Sequence, residues 1–160
     1  MAETLGSLVD KLTIKNIREF YLRRMLFDKK RKFSEKEMKD KLAILSAQKK
    51  CLKDEIDSFM VTAYMSKSVL KDEKLKLYNA REDMGRIPKT KRIGEAISLL
   101  AQKNLELWNL EDEARRRDVD LSHVGSTKRK IDLANQQRND LIDKIDELFG
   151  RVIKGNGGKK

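Results

Sequence analysis

The sequence predicts an all-α fold: an antiparallel helical bundle built from two αα-hairpins and joined by a shorter crossover helix. Three observations carry that prediction. Proline and glycine, the residues that most oppose helix, number one and eight in 160 residues, and four of the glycines lie beyond residue 149. Charged residues make up 39% of the chain and aromatics 6%, the balance of long, solvated, amphipathic helices. Apolar residues recur every three or four positions through most of the chain, which is the spacing of one helical face. A chain of this length fills one core rather than two. Residues 1–150 are therefore read as one domain, and 151–160 as a flexible basic tail.

The first helix is predicted over 5–29, where Leu5, Leu8, Val9, Leu12, Ile17, Phe20 and Leu26 fall at helical spacing. Ser34 with Glu37 three residues on is a capping box. It opens a long helix that Leu42, Leu45, Leu52, Ile56 and Phe59 carry to about residue 65, completing the hairpin 5–65. The connector, 66–90, holds a shorter helix that starts at Ser66 and Ser68 and carries Val69, Leu70, Leu75 and Leu77. Gly and Pro in "MGRIPKT" (84–90) then break the chain. Thr90 is placed to cap the next helix, 91–117. The acidic turn "DVDLS" (118–122) leads into a last helix that runs to Phe149, where Gly150 is expected to stop it. These two helices form the hairpin 91–150.

The hairpins read as copies of one another. Laying 5–22 over 93–110 matches Gly6 with Gly94, Asn16 with Asn104 and Phe20 with Trp108. Laying 41–59 over 130–148 matches Gln48 with Gln137, Asp54 with Asp143 and Asp57 with Asp146. Such self-similarity predicts an internal duplication and a bundle of approximate twofold symmetry.

The formal net charge of +11 invites a nucleic-acid partner, because basic patches hold phosphates. Its distribution argues otherwise. The basic residues gather at 23–32, at 86–92 and in the tail, and nowhere do aromatics interleave with Lys or Arg as a base-stacking platform requires. Cys51 and His123 stand alone in their types, which excludes a disulfide framework and a Cys/His zinc cage. Neither supports nucleophilic catalysis: His123 is expected exposed beside a turn, and Cys51 half-buried and inert. Tyr21, Tyr64 and Tyr78 read as fillers at the edge of the core. The opening residues lack a basic stretch followed by an apolar run. No window approaches 18 consecutive apolar residues, so membrane insertion is not expected and the cytoplasm is. No motif calls for a cofactor.

One feature resists the amphipathic pattern. In the helix 91–117, Asn104, Glu111 and Arg115 fall inside the arc formed by Ile93, Ile97, Leu100, Leu107 and Trp108. In the last helix Arg138 falls within the arc of Ile131, Ala134, Leu141, Ile142, Ile145 and Phe149. Lys128, Asp132, Asn135, Asn139 and Asp146 run alongside it. Folding this hairpin back on itself is expected to bring Glu111 near Lys128, Trp108 near Ile131 and Asp132, and Asn104 near Asn135. Buried polar groups must be satisfied by one another, by water or by a ligand. Two readings follow. The seam fixes helix register, as a lone Asn does in a coiled coil. Alternatively it lines a pocket for a small polar or phosphorylated ligand, with Arg115, Lys128 and Arg138 as cations and Trp108 as a flat wall.

The stretches "WNLEDEAR" (108–115) and "KRKIDLANQQRNDLIDKID" (128–146) resemble the signature of domain-of-unknown-function family 4254, and "LGSLVDKLTIKNI" (5–17) resembles its N-terminal motif. That is a family of small, all-helical bacterial proteins. The resemblance implies a helical fold and, by position, marks Asn104, Trp108, Glu111, Asp112, Arg115, Asp132, Asn135, Arg138 and Asn139. It implies no reaction.

The functional expectation is a binding or scaffold module with its ligand site in that seam. A magnesium-dependent nucleotide or nucleotide-sugar pyrophosphohydrolase is the alternative from another class. Asp54/Asp57 and Asp143/Asp146 have the spacing of carboxylate pairs that hold Mg²⁺ against a pyrophosphate. The sequence departs from that pattern in lacking paired Glu-x-x-Glu motifs and in placing Lys53 and Lys144 beside the acids. Such an enzyme needs at least three carboxylates to converge. Nucleic-acid binding through the basic surface is the second alternative, and pairing of long helices with a second copy of the chain remains open.

Overall fold

The computed structural model describes residues 3–28, 32–69 and 86–155. Within them the chain forms four helices and no strand: α1 (Leu5–Leu26), α2 (Glu35–Ser66), α3 (Ile93–Ala114) and α4 (Leu121–Gly155). α1 and α2 form one hairpin, α3 and α4 the other, and α1 joins them by packing on both α3 and α4. Its polar contacts give the directions. Residues 10 and 13 of α1 meet Asn104 while Tyr21 meets Asn109, so α1 and α3 run parallel. Gly6 meets Asp146 and Asp10 meets Arg138, so α1 and α4 run antiparallel. The predicted all-α bundle is the observed architecture.

Its main core gathers Leu5 of α1, Ala63 of α2, Ala96 and Leu100 of α3, and Leu141, Ile145, Leu148, Phe149 and Ile153 of α4. Each fully buried Leu or Phe contributes on the order of 1.5–3 kcal/mol. The C-terminal end of α2 reaches this core through Phe59, whose ring lies 6.1 Å from that of Phe149. A second, smaller cluster of Leu107, Ile131 and Ala134 packs towards the other end of the α3–α4 hairpin. Between the two apolar clusters, one helical turn on from Leu100 and one turn before Leu141, lie Asn104 and Arg138.

Helix ends follow local chemistry, with four departures from expectation, one of them α3, which ends at Ala114 rather than 117 where the Arg115 amide donates to the Asp112 carbonyl. The capping box forms as predicted. Ser34 Oγ accepts from the Glu37 amide at 3.2 Å, and the Glu37 carboxylate accepts from the Ser34 amide at 2.8 Å. Because this box is solvent-exposed and stands apart from the core, Ser34→Ala should lower stability by only about 1 kcal/mol. Urea titration at unchanged m-value checks that magnitude. α1 stops at Leu26 rather than 29, where the Phe27 amide donates to the Arg24 carbonyl and the Asp28 amide to that of Met25. α2 stops at Ser66 because Lys67 takes a left-handed conformation, φ 55°.

Thr90 does not cap α3 directly. Arg92 occupies the cap position without a side-chain bond, and Thr90 instead accepts from the Arg92 amide at 3.2 Å and donates to Glu95 at 2.5 Å. Nor does Gly150 end α4, which continues through it to Gly155. Phe149 and Ile153 are both buried, and anchoring them outweighs the roughly 1 kcal/mol that a glycine costs inside a helix. Residues 151–155 are therefore helix rather than tail. The predicted crossover helix, beyond Val69, and the final residues of the tail lie outside the described residues.

Candidate functional site

α1 carries two stripes. Leu5, Leu8 and Leu12 lie on one side, and Gly6, Asp10, Thr13, Ile17 and Tyr21 follow another at spacings of four, three, four and four residues. The second stripe meets the α3–α4 hairpin. At its start Gly6 comes so close to α4 that an added Cβ would lie 2.4 Å from the Ile142 carbonyl oxygen. The Gly6 amide, one of the first N–H groups of α1 and so without a helical partner, donates to the buried Asp146 carboxylate at 2.7 Å.

One turn further along, Asp10 is buried and forms the centre of a network. Asn104 donates to its Oδ1 at 2.9 Å and to Thr13 Oγ1 at 2.7 Å. Thr13 Oγ1 in turn donates a hydrogen bond to the Asp10 backbone carbonyl at 2.8 Å. Arg138 of α4 grips the carboxylate with two nitrogens, Nε to Oδ1 at 2.8 Å and Nη2 to Oδ2. These hydrogen bonds raise the Arg138 pKa above its usual value, more than burial lowers it. This bidentate pair ties α1 to α4 and Asn104 ties α1 to α3, so one carboxylate positions three helices.

Asn104 and Arg138, two of the residues expected in the seam, meet their partner from α1 rather than across the α3–α4 hairpin. Asn104 is buried but faces α1, not Asn135, because α1 wedges against the hairpin and supplies the carboxylate. Glu111 is not paired with Lys128. Its cation is Arg115, at 3.9 Å, and Lys128 is exposed. Asp132 and Asn139 are exposed as well, while Asn135 and Arg138 are half-buried. Cys51, expected half-buried, is exposed. Asp10, Thr13 and Arg18 were not anticipated. Asp10 and Thr13 lie on the α1 stripe that begins at Gly6, whose first three members are small or polar and so do not register as a packing face, and Arg18 lies off that stripe.

Beside the network opens a pocket of about 430 Å³. Asn104, Leu107, Trp108, Glu111, Asp112 and Arg115 of α3 line one side. Ile14 and Arg18 of α1 and Asn135 and Arg138 of α4 complete it. Seven of the ten residues expected at the seam therefore meet here, and Lys128, Asp132 and Asn139 do not. The Trp108 indole stacks on Tyr21 with ring centroids 5.2 Å apart and planes 15° from parallel. Tyr21 is fixed in turn by its hydroxyl, which donates to Asn109 at 3.0 Å. Trp108 Nε1 is buried, and among the described residues it has no hydrogen-bond partner. Arg115, 73% exposed, reaches Asp112 at 3.5 Å and Glu111 only at 3.9 Å, contacts too loose to hold it. Arg18 forms no ion pair with the other described residues.

At the α3–α4 turn, hydrogen bonds from Arg116 hold the Asp118 carboxyl down at about 2. His123 joins Glu113 at 2.7 Å in an exposed turn that completes the hairpin. The carboxylate pairs offer no metal centre: Asp54 and Asp57 face solvent and Asp146 serves Gly6. Among the described residues no three His, Cys, Asp or Glu side chains converge. Nor is any described helix long and apolar enough to cross a membrane.

Residues 94–159 match the model of DUF4254, a protein family of unknown function. The DUF4254 match spans all but the first residue of α3 and all of α4, and leaves α1 and α2 outside it. No curated protein and no solved structure matches the chain.

Proposed function

We propose that the chain is a binding module that takes up a small polar ligand bearing a phosphate or carboxylate in the pocket between α1, α3 and α4. The observation that carries this reading is the Trp108 indole. Trp108 lines the pocket, and its buried N–H has no acceptor among the described residues, a state that costs about 1–3 kcal/mol where it stays unanswered. The volume falls within the range of small-molecule sites, roughly 300–1,000 Å³. Arg18, without an ion pair among the described residues, and Arg115, held only by loose contacts, supply cationic donors. Glu111 and Asp112 stand beside them and favour a ligand that also offers hydroxyl or amine donors, as a sugar phosphate or nucleotide does.

The seam divides by depth. Its inner half, Asn104 and Arg138, is spent on Asp10 and fixes helix register. Its outer half, Trp108, Glu111, Asp112 and Arg115, is where a ligand would be met. The expected cytoplasmic location belongs to the same proposal, since phosphorylated metabolites are found there.

The test is a thermal-shift panel of inorganic phosphate, nucleotides, sugar phosphates and unphosphorylated sugars. A ligand at about 100 times its Kd adds about 2.7 kcal/mol, a rise of roughly 5–10 °C for a chain of this size. Trp108 is the single tryptophan, so its fluorescence reports occupancy directly. Arg115→Ala should keep the parent melting temperature and lose the ligand-induced rise. A variant that responds as the parent does, or a panel that moves neither signal, overturns the reading.

A further inference from the structure

We propose that the groove between α1 and α2 docks an acidic amphipathic helix from a partner protein. The groove measures about 700 Å³ and lies on the side of α1 turned towards α2. Its floor is apolar, formed by Ile14, Ile44, Ala47 and Leu52, with Ile44 60% exposed. Its rim on α1 carries Lys11, Lys15 and Arg18, and no carboxylate lines it. Lys11 is bridged to Glu3 and Lys15 donates to Gln48 at 2.6 Å, so the cations are anchored along the edge rather than dispersed.

The spacing suits a helix. Lining positions on α1 fall at i, i+3, i+4 and i+7, and those on α2 at i, i+3, i+4, i+7 and i+8. Two facing stripes of about two turns, roughly 10–12 Å long, leave room for a third helix laid along the seam with anchors at i, i+3, i+4 and i+7. The charge selects the partner. Lys15 and Arg18, with no carboxylate in the lining, favour glutamate and aspartate flanking those anchors and oppose a basic partner, while Lys11 is already answered by Glu3. A second copy of this chain would bring cation against cation. Nucleic acid would find no aromatic ring to stack on within the groove.

Cys51, the only cysteine, is exposed on the α2 wall and serves as a reporter. The probe is a synthetic peptide of about 15 residues with Leu at i, i+3, i+4 and i+7 and Glu on its other faces, titrated into the full chain against a Lys-for-Glu counterpart. The acidic peptide should gain helicity and bind with Kd on the order of 10–100 µM. Its binding should slow the reaction of Cys51 with a thiol reagent at least about fivefold near saturation, and should weaken with added salt. Ile44→Glu should reduce affinity about tenfold or more with the melting temperature held. Arg115→Ala should bind the peptide as the parent does, which separates this proposal from the ligand pocket. Equal binding of the basic peptide, no binding at about 1 mM, or an Ile44→Glu variant of parental affinity overturns it. So does a Cys51 thiol already protected in the free chain, or sedimentation showing self-association that Ile44→Glu abolishes.

Discussion

Replacing Asp10 by Ala should lower the stability of the bundle by about 3–5 kcal/mol, the scale seen when one partner of a buried pair is removed. The melting temperature should fall by on the order of 10 °C. The carboxylate receives Asn104 at 2.9 Å and both nitrogens of Arg138, and is itself buried. Its removal strands a half-buried guanidinium and a buried amide at one stroke; the amide loses its acceptor where little water can replace it, and the guanidinium is only partly compensated by water from the pocket it lines. The apolar surface lost is small, so the effect should come from the stranded groups. A double-mutant cycle isolates that cause. Arg138→Met alone should also destabilise, but Asp10→Ala with Arg138→Met should cost well under the sum, because the second change removes the charge that the first exposed. Effects that add to within about 0.5 kcal/mol would show that Asp10 and Arg138 are not energetically joined.

That network shows how far the sequence reaches. The helices were legible because their period and their caps are local: the apolar spacing of α3 and α4 and the Ser34–Glu37 box require knowledge of only a few neighbouring residues. The anomaly of Asn104 and Arg138 was legible too, since each interrupts an apolar arc on its own helix. Their partner was not. Hairpin geometry pairs α3 with α4 and so predicts Asn104 opposite Asn135, whereas the carboxylate that answers both arrives from α1, 94 positions before Asn104. Nothing in α1 announces it, for Asp10 on its own resembles any solvated acid. The same limit applies to Asp146, which the spacing placed in a polar row beside the apolar arc and which is in fact buried on the α1 terminus. Gly150 failed for the converse reason. Its local signal to stop was clear, and the burial of Phe149 and Ile153 on either side overrode it.

Gly6→Ala and Gly94→Ala should change stability in opposite directions, although the internal alignment equates the two residues. Both are the second residue of their helix, where Ala is the better helix former by up to about 1 kcal/mol. Around Gly94 nothing lies within 4 Å of the added methyl, so the propensity gain should appear with little offset, and Gly94→Ala should stabilise by up to about 1 kcal/mol. At Gly6 the methyl would sit 2.4 Å from the carbonyl oxygen of Ile142 and 3.0 Å from its carbon. Both are backbone atoms held inside a helix and cannot rotate aside. α1 and α4 must therefore part, at an overpacking cost of about 1–3 kcal/mol. Parting also stretches the 2.7 Å bond from the Gly6 amide to Asp146, a charge-assisted contact of about 1.5–3 kcal/mol. Less the propensity gain, Gly6→Ala should destabilise by about 2–4 kcal/mol. Urea unfolding of the two variants beside the parent decides the matter. Loss at Gly6 with gain at Gly94 is what a helix contact at one glycine alone requires, whereas equal effects would mean that α1 and α4 do not approach as closely as Gly6 allows.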